Sequence, residues 1–148
     1  MYGNSSNYLS GYAFASAMDL HALSDWRFIG ESVALAVHDR GLARHGGAEG
    51  LRDPGALQGA LARPRQLAAY GEPDAADLAA AYAFGIAKAH AFVDGNKRTA
   101  WVVLRLFLAD SGRHLAFERA EAVEAMVDLA AGTLPESDFA AGIRARLR

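Results

Sequence analysis

The stretch His90-Ala91-Phe92-Val93-Asp94-Gly95-Asn96-Lys97-Arg98-Thr99-Ala100 decides how this chain is read. Apolar residues at helical spacing lead into it and away from it. Upstream, Leu78, Tyr82 and Ile86 recur at i, i+4 and i+8, so a helix capped by Asp74, with Asp77 in its first turn, runs to His90. Downstream, Val102, Val103, Leu104, Leu106, Phe107 and Leu108 nearly encircle a helix expected over Asn96 to Asp110. A helix apolar nearly all round sits inside a domain, so this one is expected to be the most buried. Gly95 permits the sharp turn between the two, having no Cβ to clash. The first amides of the second helix, Gly95 to Arg98, lack intrahelical partners, and the macrodipole adds positive charge there. Together they form an anion site.

Lys97 and Arg98 add two cations at the same mouth, and Asp94 lies beside them. If phosphates fill the site, Asp94 is placed to hold the accompanying Mg²⁺, which favours one or two carboxylates plus phosphate oxygens. A neutral imidazole at His90 can take a proton from an attacking hydroxyl. Base, metal ligand and phosphate cradle are the set that phosphoryl-type transfer needs, because positioning and charge neutralisation dominate its catalysis. Singly, each residue has a plainer reading: His90 as a helix-end cap, Asp94 as an N-cap, Lys97 and Arg98 as a solvated first turn, Phe92 as a core plug. Their joint occurrence in eleven residues favours the site.

Working outward, Glu31 to His45 reads as a helix with Val33, Ala36 and Val37 on one face and Gly46 as its stop. Asp53-Pro54 starts another, bearing Leu57 and Leu61. Arg63-Pro64 is expected to end it, because the residue before Pro avoids the α region. Residues 64–73 then form an exposed loop or small hairpin. Trp26 to Ile29 and His114 to Phe117 are candidate short strands, paired with each other. Glu118 to Ala131 reads as a helix with Val123, Met126, Val127 and Ala130 inward. Thr133 with Glu136 resembles a capping box for a last helix bearing Phe139, Ile143 and Leu147. Residues 1–24 read as a polar arm or leader, set apart from one domain over 25–148. The expected architecture is all-α, about six helices with at most a tiny two-stranded element.

Composition excludes several classes. The 148 residues are 52% hydrophobic and 22% charged, the balance of a soluble globular chain. There is no Cys, so disulfides, thiolate catalysis and Cys-based zinc sites are out. A net charge of -2 is not the basic footprint of a nucleic-acid binder, and no direct DNA binding is expected. No apolar run approaches the ~20 residues of a membrane span, and no leader with a basic region and apolar stretch is evident, so a cytoplasmic location is expected. His38 and His45 share a helix face without an acid at metal-ligand spacing, which favours a structural role. The spacing G-x-x-x-x-G-K and the H-E-x-x-H motif are both absent.

Residues 90–98 resemble the signature of the Fic/Doc (Fido) family, H-x-F-x-[D/E]-[G/A]-N-[G/K]-R, at every fixed position. Lys97 stands where AMP-transferring members have glycine. Trp101 stands where they carry a second arginine. Both departures, and the run Asn96-Lys97-Arg98-Thr99-Ala100, resemble the Doc branch, death-on-curing toxins of toxin–antitoxin pairs. The wider likeness spans about residues 27–148, including Arg52-Asp53-Pro54-Gly55. The resemblance implies a helical Fido domain with the loop between two central helices. It also implies transfer of the ATP γ-phosphate to a threonine of elongation factor Tu. By position, His90 is then the general base, Asp94 the Mg²⁺ ligand, and Gly95, Asn96, Lys97 and Arg98 the phosphate binders. A family flap, which aligns the target backbone by strand addition, maps to about residues 64–73. The inhibitory motif [S/T]-x-x-x-E-[G/N] is absent, so restraint is expected from a separate Phd-like antitoxin whose C-terminal segment folds beside the site. Two alternatives stay open: an AMP or other nucleotidyl transferase, and a catalytically silent Fido binding module.

Overall fold

The computed structural model describes residues 26–148. The expectation that 1–24 form an arm lies outside the described residues. Six helices follow in order among them: α1 (Glu31–His45), α2 (Pro54–Tyr70), α3 (Ala75–Ala89), α4 (Asn96–Asp110), α5 (Arg119–Ala131) and α6 (Glu136–Ala145). The expected all-α domain is what forms, with two isolated bridges, Leu51 with Phe92 and Leu115 with Leu147. No helix is long and apolar enough to cross a membrane.

Several expectations are corrected by the packing. The centre is α3, not α4. Eleven residues of α3 are buried, from Ala75 to Ala87, whereas α4 turns Val102, Arg105 and Ala109 to solvent. The reason is side-chain size. The alanines of α3 let α2, α4 and α6 approach from three sides, while α4, packed against α3, α1 and α5, keeps a solvent-facing strip.

Pro64 does not end α2, which continues to Tyr70 with Pro64 buried inside it. A proline here leaves the carbonyl of Ala60 without its usual partner. That carbonyl faces Gly85 of α3, where an added Cβ would lie 3.2 Å from Ala60 O and 3.3 Å from Ala60 Cα. Close packing on α3 accompanies an α2 that continues through a residue that would break it in isolation. Residues 64–70 are therefore helix, not the expected loop or flap.

Trp26 to Ile29 form no strand with His114 to Phe117. Ile29 N–H donates to the Tyr82 hydroxyl at 2.7 Å, and Trp26 and Phe28 pack near the Phe107 ring. Leu115 bridges Leu147 instead. The inward faces of two helices are also rotated from expectation. In α1 it carries Ala34 and His38, leaving Val33 exposed; in α5 it carries Ala122, Met126 and Leu129, leaving Val123 and Val127 exposed. The Thr133 capping box does not form: Thr133 Oγ1 donates to the Asp128 carbonyl, and Glu136 pairs with Arg63. Phe139 and Ile143 are buried in α6 as expected, but Leu147 lies beyond its end.

Candidate active site

The turn between α3 and α4 is built by two glycine-like conformations five residues apart. His90 ends α3 at φ 48°, ψ 42°, and Gly95 opens α4 at φ 79°. For Gly95 this costs little. For His90, which has a Cβ, the left-handed region costs roughly 1–2 kcal/mol. Such outliers persist only where neighbours over-determine them. Here Arg52 Nη2 donates to the His90 carbonyl at 2.7 Å, and the Arg52 and Asp53 amides both donate to the Ala91 carbonyl. The result leaves the imidazole exposed.

Residues 46–53, between α1 and α2, run antiparallel beside the turn. Val93 N–H donates to the Gly50 carbonyl, and Leu51 bridges Phe92. This segment, rather than 64–73, is the backbone that flanks the site. Gly47, at φ 122°, is required where it stands: an added Cβ would meet Asp94 Oδ2 at 2.8 Å.

Within the turn, Phe92 is the buried plug that the sequence suggested. Asn96 staples it: Oδ1 accepts from Phe92 N–H at 3.0 Å and Nδ2 donates to the Phe92 carbonyl at 2.9 Å. The side chain of Asn96 thus closes the loop, and its own amide stays at the helix start. Asp94 is exposed, and its carboxylate accepts from Gly95 N–H at 2.8 Å and Ala48 N–H at 3.3 Å. Those amides, the Gly95 bond first, and the nearby charges of Arg98 and Lys97 hold its carboxyl below the usual carboxylate range. It is therefore ionised at neutral pH, and each oxygen keeps a free lone pair, which fits a cation brought in on phosphate oxygens. No cluster of three metal-ligating side chains exists among the described residues.

Lys97 is exposed at the mouth. Arg98 folds back towards α1, where Nη2 donates to the Gly46 carbonyl at 3.3 Å and Nε has no partner among the described residues. It forms one wall of a cleft of about 280 Å³ between α1 and α4, with Val37, Val102 and Leu106 as apolar lining, Arg40 and Arg44 as cations, and His45 beside them. No acceptor among the described residues meets the amides of Asn96, Lys97 and Arg98. The turn therefore presents three free N–H groups, an exposed lysine, an ionised carboxylate and an exposed imidazole, all within nine residues. Chemically, it can cradle a polyphosphate and accept a proton beside it.

Two residues escape sequence reasoning. Arg52 reads there only as the residue before a helix cap. His38 reads as an ordinary structural histidine, yet its Nε2 lies 2.8 Å from the Asp94 carbonyl. The one available signal was its place four residues after Ala34, on the face of α1 that turns inward.

The sequence profile of the Fic/DOC family matches residues 28–108. Among similar proteins, the Protein kinase doc of Escherichia phage P1 is 34% identical over 119 residues, which cover 80% of this chain and 94% of the phage protein. The Toxin Doc of Mycolicibacterium smegmatis is 47% identical over 74 residues, covering 48% of this chain and 56% of that toxin.

Proposed function

Because this chain belongs to the Fic/DOC family, we propose that it is a Doc-like toxin of a toxin–antitoxin pair, and that it phosphorylates a Thr or Ser hydroxyl of a translation factor resembling elongation factor Tu. The observation that carries this reading is Lys97, exposed beside the free amides of Asn96 to Arg98 and a few residues from an exposed His90. A lysine fills the space that glycine leaves to a phosphate in AMP-transferring members and adds a charge of its own. Both effects favour a nucleotide bound with its γ-phosphate towards the target.

In this reading the target hydroxyl gives its proton to the His90 imidazole as its oxygen attacks the γ-phosphorus. The bond from that phosphorus to the β,γ-bridging oxygen breaks, and ADP leaves. Gly95, Asn96, Lys97 and Arg98 bind the phosphates, and Asp94 holds Mg²⁺. Bound there, Mg²⁺ would supply positive charge against the phosphate oxygens. Residues 46–53 flank the turn, and we assign to this backbone the alignment of an extended target segment. The cleft between α1 and α4 suits an acidic, amphipathic segment, the chemistry we assign to the C-terminal part of a Phd-like antitoxin.

The test is incubation with purified elongation factor Tu and ATP labelled at either the α or the γ position, followed by mass spectrometry. Label from the γ position and one added phosphate are expected. An added AMP establishes the nucleotidyl transferase reading instead, and no modification of any target by a protein that still binds a partner favours the silent module.

A further inference from the structure

His38 is almost completely buried, yet it is not part of the reacting set. Its ring lies parallel to the Phe92 ring, at 10° and 3.7 Å between centroids. Its Nε2 faces a carbonyl, which can only accept, so Nε2 carries the proton and donates to Asp94 O at 2.8 Å. The other ring nitrogen is 3.9 Å from Asp39 Oδ1, too far for a hydrogen bond. One donor and one stacked face are therefore all that the side chain contributes, and both go to the turn.

The Asp94 carbonyl and the Gly95 amide belong to one peptide unit. That unit is planar and trans, so the two groups point in opposite directions. Holding the carbonyl against α1 turns the Gly95 N–H away from α1, where it meets Asp94 Oδ1 at 2.8 Å. The same bond fixes the start of α4. Gly95 is pressed between His38 and Arg98: an added Cβ would lie 3.6 Å from His38 Nε2 and 3.0 Å from Arg98 Nη2.

We infer that His38 is a positioning residue, which through the Asp94–Gly95 peptide aims the Asp94 carboxylate and the first amides of α4. It acts through another residue and touches no reacting atom. Its effect on turnover presupposes the transfer activity proposed above; its effect on the loop does not.

Two variants separate the donor from the packing. His38→Phe keeps a ring over Phe92 and removes the donor. His38→Gln loses the ring and places an amide N–H near the position of Nε2. Three readouts are needed: thermal melting, amide hydrogen exchange of Phe92, Val93, Gly95 and Thr99, and turnover as a function of Mg²⁺ and ATP. Expected for His38→Phe is faster exchange confined to the hydrogen-bonded amides of Phe92, Val93, Gly95 and Thr99, with the melting transition close to wild type. Its turnover should fall by ~10–100-fold with a higher Mg²⁺ requirement, the usual scale for loss of a group that orients a metal ligand. His38→Gln should recover most of the slow exchange and most of the turnover. Wild-type exchange and turnover in His38→Phe overturn the inference. So does equal loss of melting temperature in both variants with exchange raised throughout the chain, which makes His38 a core residue and nothing more. If the wild-type protein transfers nothing to any target, the functional reading fails, and the exchange data alone decide the role of His38.

Discussion

His90 occupies a backbone region that costs a β-carbon-bearing residue roughly 1–2 kcal/mol, and the Arg52 guanidinium on its carbonyl offsets that cost. The strained backbone ends α3 and leaves the imidazole exposed at the turn, where, under the proposed function, the target hydroxyl reaches it. Under the proposed function, His90→Ala should lower turnover by ~10²–10⁴, the usual worth of general-base catalysis. Nucleotide affinity should stay close to wild type, because the imidazole acts on the hydroxyl and not on the phosphates. Titration calorimetry with ATP and Mg²⁺, set beside the rate, checks this; parallel losses in both would make His90 a structural residue. The residue types of the turn were legible in sequence because helix starts, glycine turns and charge clusters are local. The use of Asn96 was not: its amide closes the loop on Phe92 at both ends, a bond that spacing alone does not distinguish from phosphate binding.

Among the elements, α2 and α3 depend on an unusually close contact. Gly85 lies against the backbone of Ala60, at the turn where Pro64 withholds an amide. Gly85→Ala sets two effects against each other. Alanine gains roughly 0.8–1 kcal/mol of helix propensity over glycine. Its methyl, however, would sit 3.2–3.3 Å from Ala60 O and Cα, and overpacking typically costs ~1–3 kcal/mol. The backbone of a packed helix yields less readily than a side chain, so the second effect should win. We expect a net loss of about 1 kcal/mol, read from the urea midpoint at unchanged slope; a midpoint at or above wild type would show that α2 can move away. Helix boundaries elsewhere followed local rules, as at Asp53, whose carboxylate accepts from Ala56 N–H, and at Asp74 with Asp77, which form a full capping box. Pro64 broke its rule because α3 supplied the packing that a lone helix lacks.

Across the whole molecule, Arg144 of α6 ties the last helix to the start of the central one, through Asp74 at 2.6 Å and Asp77 at 2.8 Å. The Arg144 guanidinium, with the Asp77 amide, lowers the Asp74 carboxyl from 3.8 to about 2. The folded chain therefore binds this proton less readily than the unfolded chain. The stabilisation is full above the ordinary carboxylate value and fades as pH falls towards 2. All three side chains are about half exposed, so the effect is modest and salt-sensitive. Arg144→Met, which keeps an apolar stem, should make stability less dependent on pH between about 4 and 2, as followed by helical circular dichroism; identical acid profiles in both proteins would remove the role. The order of helices and the turn between α3 and α4 were settled by the sequence alone, because each rests on contacts within one or two turns of chain. The tertiary structure alone decided that α3 is the centre, that α2 passes through Pro64, that residues 46–53 flank the site, and that His38 holds Asp94. Those features rest on which faces meet across 25 to 60 residues of chain, and a face becomes inward only when another element covers it.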